Sequence, residues 1–127
     1  MILELIEKLT RKAGQDGLDF LVIGGHAMMH HGYARMTLDL DLLARESQRQ
    51  TWAKLLQTLG YRVYAESPAF IQFAGSAPDH PPVDMMFVHD DTWDKLRAEA
   101  TAKQSLSVEV LVPSVRHLIA LKLHAAV

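Results

Sequence analysis

At 127 residues, with 49% hydrophobic and 22% charged side chains, the chain is long enough for one domain with a real core and too short for two. A formal net charge of −2 gives no global pull toward nucleic acid or an anionic membrane, so any basic groove must be local. There is no cysteine, which excludes disulfides and thiolate chemistry.

The first twelve residues, MILELIEKLTRK, place Ile2, Leu5, Ile6 and Leu9 at helical spacing with Glu4, Glu7, Lys8 and Arg11 on the other side. Those charges predict an amphipathic helix rather than a signal sequence or a membrane span, and a cytoplasmic location is the expectation. Gly14, Asp16 and Gly17 are predicted to end it. Residues 18–23 (LDFLVI) form a short, β-rich apolar run suited to a buried strand. Gly24-Gly25 permits a tight turn, residues 26–31 fit one or two helical turns, and Gly32 stops them. Residues 37–43 (TLDLDLL) alternate acid and leucine, as a strand does. Ser47-Gln48-Arg49-Gln50 resembles a capping box, followed by an apolar stripe of Trp52, Leu55, Leu56 and Leu59 and a stop at Gly60.

Residues 61–64 and 69–73 read as two strands, and residues 74–82, rich in Gly, Ser and Pro, as a loop. Residues 83–88 (VDMMFV) read as a strand with Asp84 set inside an apolar run. Asp90 or Asp91 can cap a helix carrying Trp93, Leu96 and Ala100, residues 106–112 make a sixth candidate strand, and Pro113-Ser114 opens a last helix. With no repeat, linker or low-complexity tract, residues 1–127 are expected to form a single α/β or α+β domain around a mixed sheet.

The chemistry concentrates in three places. On one strand face, Asp39 and Asp41 would stand about 6.7 Å apart at Cα and repel each other unless a cation or water screens them. Burying them without a partner is costly, and a divalent metal with oxygen ligands, Mg²⁺ with phosphate above all, resolves the conflict. A glycine turn opening a helix offers backbone N–H groups and a positive dipole end to a phosphate. Asp84, if its strand lies beside the first, would stand about 4.8 Å away laterally. Three converging carboxylates can hold two metals, the arrangement of phosphoryl- or nucleotidyl-transfer centres.

IGGHAMMHHGYARMTLDLDLL resembles the signature of the DNA polymerase β-like nucleotidyltransferase superfamily, and most closely the bacterial AbiEii-type nucleotidyltransferases, which include toxins of toxin–antitoxin and phage-defence systems. Gly24, Gly25, Asp39 and Asp41 match the motif one by one. Arg35 and Thr37 match the Arg-x-Thr of the closer subgroup. Asp84 looks like the third carboxylate and Lys122 like the helix lysine near the nucleotide phosphates. The resemblance implies that Asp39 and Asp41 ligate two Mg²⁺ (or Mn²⁺) ions, while Asp84 completes one site and helps deprotonate the acceptor hydroxyl. It implies an NTP substrate, an RNA (tRNA), protein or small-molecule acceptor and, in the toxin setting, an antitoxin partner. Gly25 departs from the pattern, since many members have a phosphate-contacting serine there. Family members commonly continue with further helices, so a minimal catalytic core is expected, with a partner subunit as one source of the rest.

Each feature has a plainer reading. The glycines can be simple punctuation, and Asp39 and Asp41 the wet face of an edge strand. Lys122 can snorkel from the core face, and Arg35 can bind a phosphate or pair with an acid such as Asp39. His26 and His30 have the spacing of a zinc pair but no second ligand pair follows. Met28, Met29, Met85 and Met86 read as core filler. A nucleotidyltransferase is the leading expectation, and a binding or regulatory module of that fold the alternative.

Overall fold

The computed structural model describes residues 2–25, 27, 31–32 and 39–126, the last four by their backbone. Helix α1 (Ile2–Gln15) buries Ile6 and Leu9 of the predicted stripe, leaves Ile2 and Leu5 half-buried, and adds Ala13 to the core. It runs on through Gly14. The chain turns instead at Gly17, whose φ of +68° is open to glycine at little cost.

Strand β1 (Phe20–Ile23) pairs antiparallel with β2 (Leu40–Arg45). A 3₁₀ turn (Glu46–Gln48) leads into α2 (Arg49–Thr58), then β3 (Tyr61–Ser67), β4 (Phe70–Gly75) and β5 (Val83–Val88). Helix α3 (Asp90–Ala98), the hairpin β6 (Thr101–Ser105) and β7 (Val108–Val112), and α4 (Val115–Ala126) complete the chain. The main sheet has the order β1-β2-β5-β4-β3. Only β2 and β5 run parallel; every other neighbour is antiparallel. This is the mixed sheet of an α+β domain.

One sheet face is the core. Leu40, Leu42 and Ala44 of β2 register with Val83, Met85 and Phe87 of β5, all buried, and Phe73 and Ile71 of β4 continue the row. Trp52 of α2 is fully buried and meets Phe20 edge-on at 5.6 Å between ring centroids. Phe73, Trp52 and their aliphatic neighbours each remove a large apolar area from water, the main favourable term in folding.

Four sequence expectations need correcting. Strand β2 begins at Leu40, so Asp39 sits at a bend before the strand and not within it. Its ladder with β5 starts at Leu40↔Val83, because the residue before Val83 is Pro82, which has a carbonyl for the Leu40 N–H (2.9 Å) but no N–H to return. The capping box does not form: α2 starts at Arg49 with no side-chain cap bond. Gln48 is drawn elsewhere, accepting from the Asp19 N–H at 3.2 Å and donating to the Gly17 carbonyl at 3.4 Å. His89 is the N-cap residue of α3, which leaves Asp90 and Asp91 in the first turn, against the positive end of the helix dipole. The single strand expected over 106–112 is a hairpin whose turn holds Leu106 at φ +53° and whose first strand, Thr101–Ser105, the pattern did not show. Helix α4 opens as expected, with Ser114 Oγ accepting from the His117 N–H at 3.2 Å. No helix among the described residues is long and apolar enough to cross a membrane.

Candidate active site

The second face of the sheet carries the polar chemistry, set by strand register. Asp41 of β2 and Asp84 of β5 are Cα partners in the parallel pair, so their carboxylates leave the same face of adjacent strands. Gln72 of β4 registers with Asp84 on the other side, and Ile23 of β1 with Asp41. One row across the sheet therefore reads Ile23–Asp41–Asp84–Gln72. Two residues along, the next row on this face reads Leu21–Leu43–Met86–Phe70.

The turn after β1 is shaped around Asp41. Gly24 has φ +70°, and a Cβ placed there would run into the Asp41 carboxylate, with Asp41 Cβ and Cγ only 2.9 Å away. Glycine is required here twice over, for the backbone conformation and for the close approach. Gly24 is thus more than punctuation: it lets the turn lie directly on a carboxylate.

Asp41 and Asp84 are half-buried and Asp39 is exposed. Burial raises the Asp84 carboxyl above its ordinary value of 3.8, the negative charge of Asp39 raises it further, and a hydrogen bond with Asp41 works the other way. The three acids therefore sense one another although Asp39 lies outside the strand. Surplus negative charge held by oxygen donors alone fits a hard divalent cation. Among the described residues no three His, Asp or Glu side chains are already closed into a metal-ligand cluster.

A cleft of about 600 Å³ opens over this face. Gly24, Gly25, Asp41, Asp84 and Gln72 line its polar end, and Met86, Phe70, Leu118, Ile119 and Leu121 its apolar end. Lys122 of α4 also lines it and is exposed, so the helix lysine reaches the cleft shared with the acids. Leu118 is buried beneath it, while Ile119 is 52% exposed. Helix α4 is tied to the segment after the glycine turn by His31, whose Nε2 lies 2.8 Å from the Pro113 carbonyl. Of the expected site residues, Gly24, Gly25, Asp41, Asp84 and Lys122 come together and Asp39 stands at the entrance to β2. Arg35 and Thr37, with His26, Met28, Met29 and His30, lie outside the described residues.

Sequence reasoning missed Gln72, Phe70 and Met86 as parts of the cleft. Met85 is buried in the core as expected, and Met86, one residue on, packs half-buried against the core and lines the cleft on the face that carries Asp84. The period-2 alternation of β5 could have placed it there, had the strand not been apolar on both faces.

No protein-family model matches the chain, and no curated protein does. Solved structures do. The solution structure of the antibiotic-resistance factor ANT(2″)-Ia matches with a TM-score of 0.78 at 19% identity, over 98% of this chain and 71% of that one. The lincosamide antibiotic adenylyltransferase LnuA, with lincomycin bound, matches at 0.71 and 10% identity, over 91% and 82%. A candidate nucleotidyltransferase from Thermotoga maritima matches at 0.72 and 12% identity, over 98% and 84%. The fold is the nucleotidyltransferase fold. At these identities the likeness is one of fold, and it does not single out the AbiEii-type subgroup.

Proposed function

We propose that the protein is a divalent-metal-dependent nucleotidyltransferase that moves a nucleoside monophosphate from an NTP to a hydroxyl acceptor. The observation that carries this is the in-register pair Asp41–Asp84 on adjacent parallel strands, with the Gly24 turn laid against Asp41 in one cleft. Asp39, Asp41 and Asp84 would hold Mg²⁺ or Mn²⁺. A divalent ion held by these carboxylates would supply positive charge against the phosphates.

The chain's own groups supply the rest. The backbone N–H groups at Gly24 and Gly25 face the β- and γ-phosphates, and Lys122 adds a cation at the cleft rim. A new bond forms between the acceptor oxygen and the α-phosphorus. The bond from the α-phosphorus to the bridging oxygen breaks, and pyrophosphate leaves with its electron pair. The acceptor proton passes to the Asp84 carboxylate, which strand register holds beside Asp41 in the cleft. Arg35 and Thr37 belong to the same reading through the sequence motif alone.

The fold neighbours include enzymes that adenylylate antibiotics, which supports a small-molecule acceptor as one class. The AbiEii resemblance supports another, in which the acceptor is tRNA or a housekeeping protein and an antitoxin restrains the enzyme. That setting predicts that expression arrests growth and that Asp41→Asn relieves the arrest. The decisive assay incubates purified protein with Mg²⁺, each α-labelled NTP and separate RNA, protein and small-molecule acceptors. Label transfer that persists in both Asp41→Asn and Asp84→Asn would refute the mechanism. No transfer by the wild type to any acceptor would favour the binding-module alternative.

A further inference from the structure

Resting on that proposed transfer, the geometry points to the acceptor: an uncharged hydroxyl compound with an aromatic or apolar face, seated on a shelf of Phe70 and Met86 beneath Ile119.

Direction comes first. In phosphoryl transfer the attacking and leaving oxygens lie roughly in line on opposite sides of phosphorus. The glycine turn after β1 sits at the Asp41 end of the polar row, and pyrophosphate leaves toward it. The attacking hydroxyl must then enter from the other end of the row, past Asp84, where Gln72 is the next residue across the sheet. The acceptor's body therefore lies over β5 and β4.

What it meets there is read from the second row. Met86 and Phe70 are Cα partners on the face that carries Asp84 and Gln72, about 6.7 Å along the strands. Phe70 is 37% exposed and Ile119 of α4 is 52% exposed, and both line the cleft. Phe70 and Ile119 leave apolar surface open to water in the cleft that holds Asp41 and Asp84, with the half-buried thioether of Met86 beside Phe70, and a ligand that covers them gains that burial. Gln72, between shelf and acids, can both donate and accept a hydrogen bond, which suits a neutral hydroxylated group.

The charges of the described lining favour a neutral acceptor. An RNA end needs several cations along its phosphates, yet Lys122 is the single cation among the described residues lining the cleft. A polycationic amino sugar needs carboxylates along its length, yet past Asp84 the described lining offers the neutral Gln72 and then Met86 and Phe70. The step is the one given above: the acceptor O–P bond forms, the bond to pyrophosphate breaks, and the proton goes to Asp84.

The test uses 4-nitrophenyl β-D-glucopyranoside, a neutral probe with an aromatic ring and hydroxyls, against kanamycin A as polycation and bulk tRNA as polyanion. Label transfer from α-labelled ATP is followed for the wild type, Phe70→Ala, Phe70→Leu and Ile119→Ser. The expected result is that the glucoside exceeds both charged acceptors in kcat/KM. Its KM should rise about tenfold in Phe70→Ala and Ile119→Ser, the loss expected for one apolar contact surface, and recover partly in Phe70→Leu. In parallel, saturation-transfer NMR with α,β-methylene-ATP, which cannot release pyrophosphate, should show the nitrophenyl protons in contact with the wild type and not with Phe70→Ala. That readout stands even where no turnover is found, so failure of the transfer reaction and failure of the shelf are told apart. Preference for tRNA or kanamycin A, or nitrophenyl contact unchanged in Phe70→Ala, would overturn the inference.

Discussion

Gly24→Ala probes the contact on which the site is built. Three effects add. An alanine held at φ +70° costs about 1–2 kcal/mol relative to its right-handed conformation. The stiffer unfolded chain returns about 0.4–1 kcal/mol of that. The new Cβ also meets Asp41 Cβ and Cγ at 2.9 Å, well inside ordinary contact, so the side chain must leave its rotamer for about 0.5–1.5 kcal/mol more. The net loss is about 0.5–3 kcal/mol, which for a domain of this size lowers Tm by about 2–11 °C. Activity should fall further than stability. A carboxylate displaced by about an ångström from its working position costs about 100-fold in rate. The assay pairs thermal unfolding with nucleotidyl transfer measured well below Tm. Gly14→Ala is the control: it lies inside α1 with nothing within 4 Å of its added Cβ, and should stabilise the helix by up to about 1 kcal/mol. A Gly24→Ala protein that is destabilised yet transfers at the wild-type rate would show that the approach to Asp41 has no part in catalysis.

Asp84→Asn should abolish transfer while raising stability at neutral pH. A carboxyl whose folded pKa is raised loses stability as pH rises through that value, so the wild type should gain on the variant as the solution is acidified toward 3.8. Equal Tm values for the two proteins from pH 7 to pH 4 would contradict the assignment. Added Mg²⁺ should raise the Tm of the wild type in proportion to RT ln(1 + [L]/Kd), about 2.7 kcal/mol at a hundredfold excess over Kd, and raise that of Asp41→Asn much less; a shift of the same size in both proteins counts against Asp41 as a ligand. Leu106→Gly relieves a positive φ at the exposed turn of the β6–β7 hairpin, and urea titration should find it unchanged or up to about 1 kcal/mol more stable. Trp52→Ala empties a fully buried site against Phe20 and should cost about 3–5 kcal/mol in the same titration.

Much of the fold was legible because local pattern and burial agree. The stripes Ile6–Leu9–Ala13, Trp52–Leu55–Leu56 and Trp93–Leu96 are the buried faces of three helices. Strand β5 lies where its apolar run predicts. What failed were choices that depend on a distant partner. Gln48 could cap α2 locally but bonds residues 17 and 19 across the structure. Asp39 alternates like a strand residue, but Pro82 ends the ladder before reaching it. Residues 101–105 carry too little apolar signal to read as a strand, and become one by pairing with β7.

For the candidate site the division has the same cause. Residue type and spacing were enough to mark Gly24, Gly25, Asp41 and Asp84 as candidates, because a charge in an apolar run and paired glycines stand out in one dimension; Lys122 was marked by the family resemblance alone. Which carboxylates meet is a matter of register: Asp84 is opposite Asp41, not Asp39, since β2 and β5 align Leu40 with Val83. Phe70, Met86 and Ile119 look like core in any local reading, because an apolar residue's sequence does not say whether its face of the sheet is covered. The tertiary structure buries Leu21 and Leu43 on that face but leaves Phe70 and Ile119 open in the cleft that holds Asp41 and Asp84.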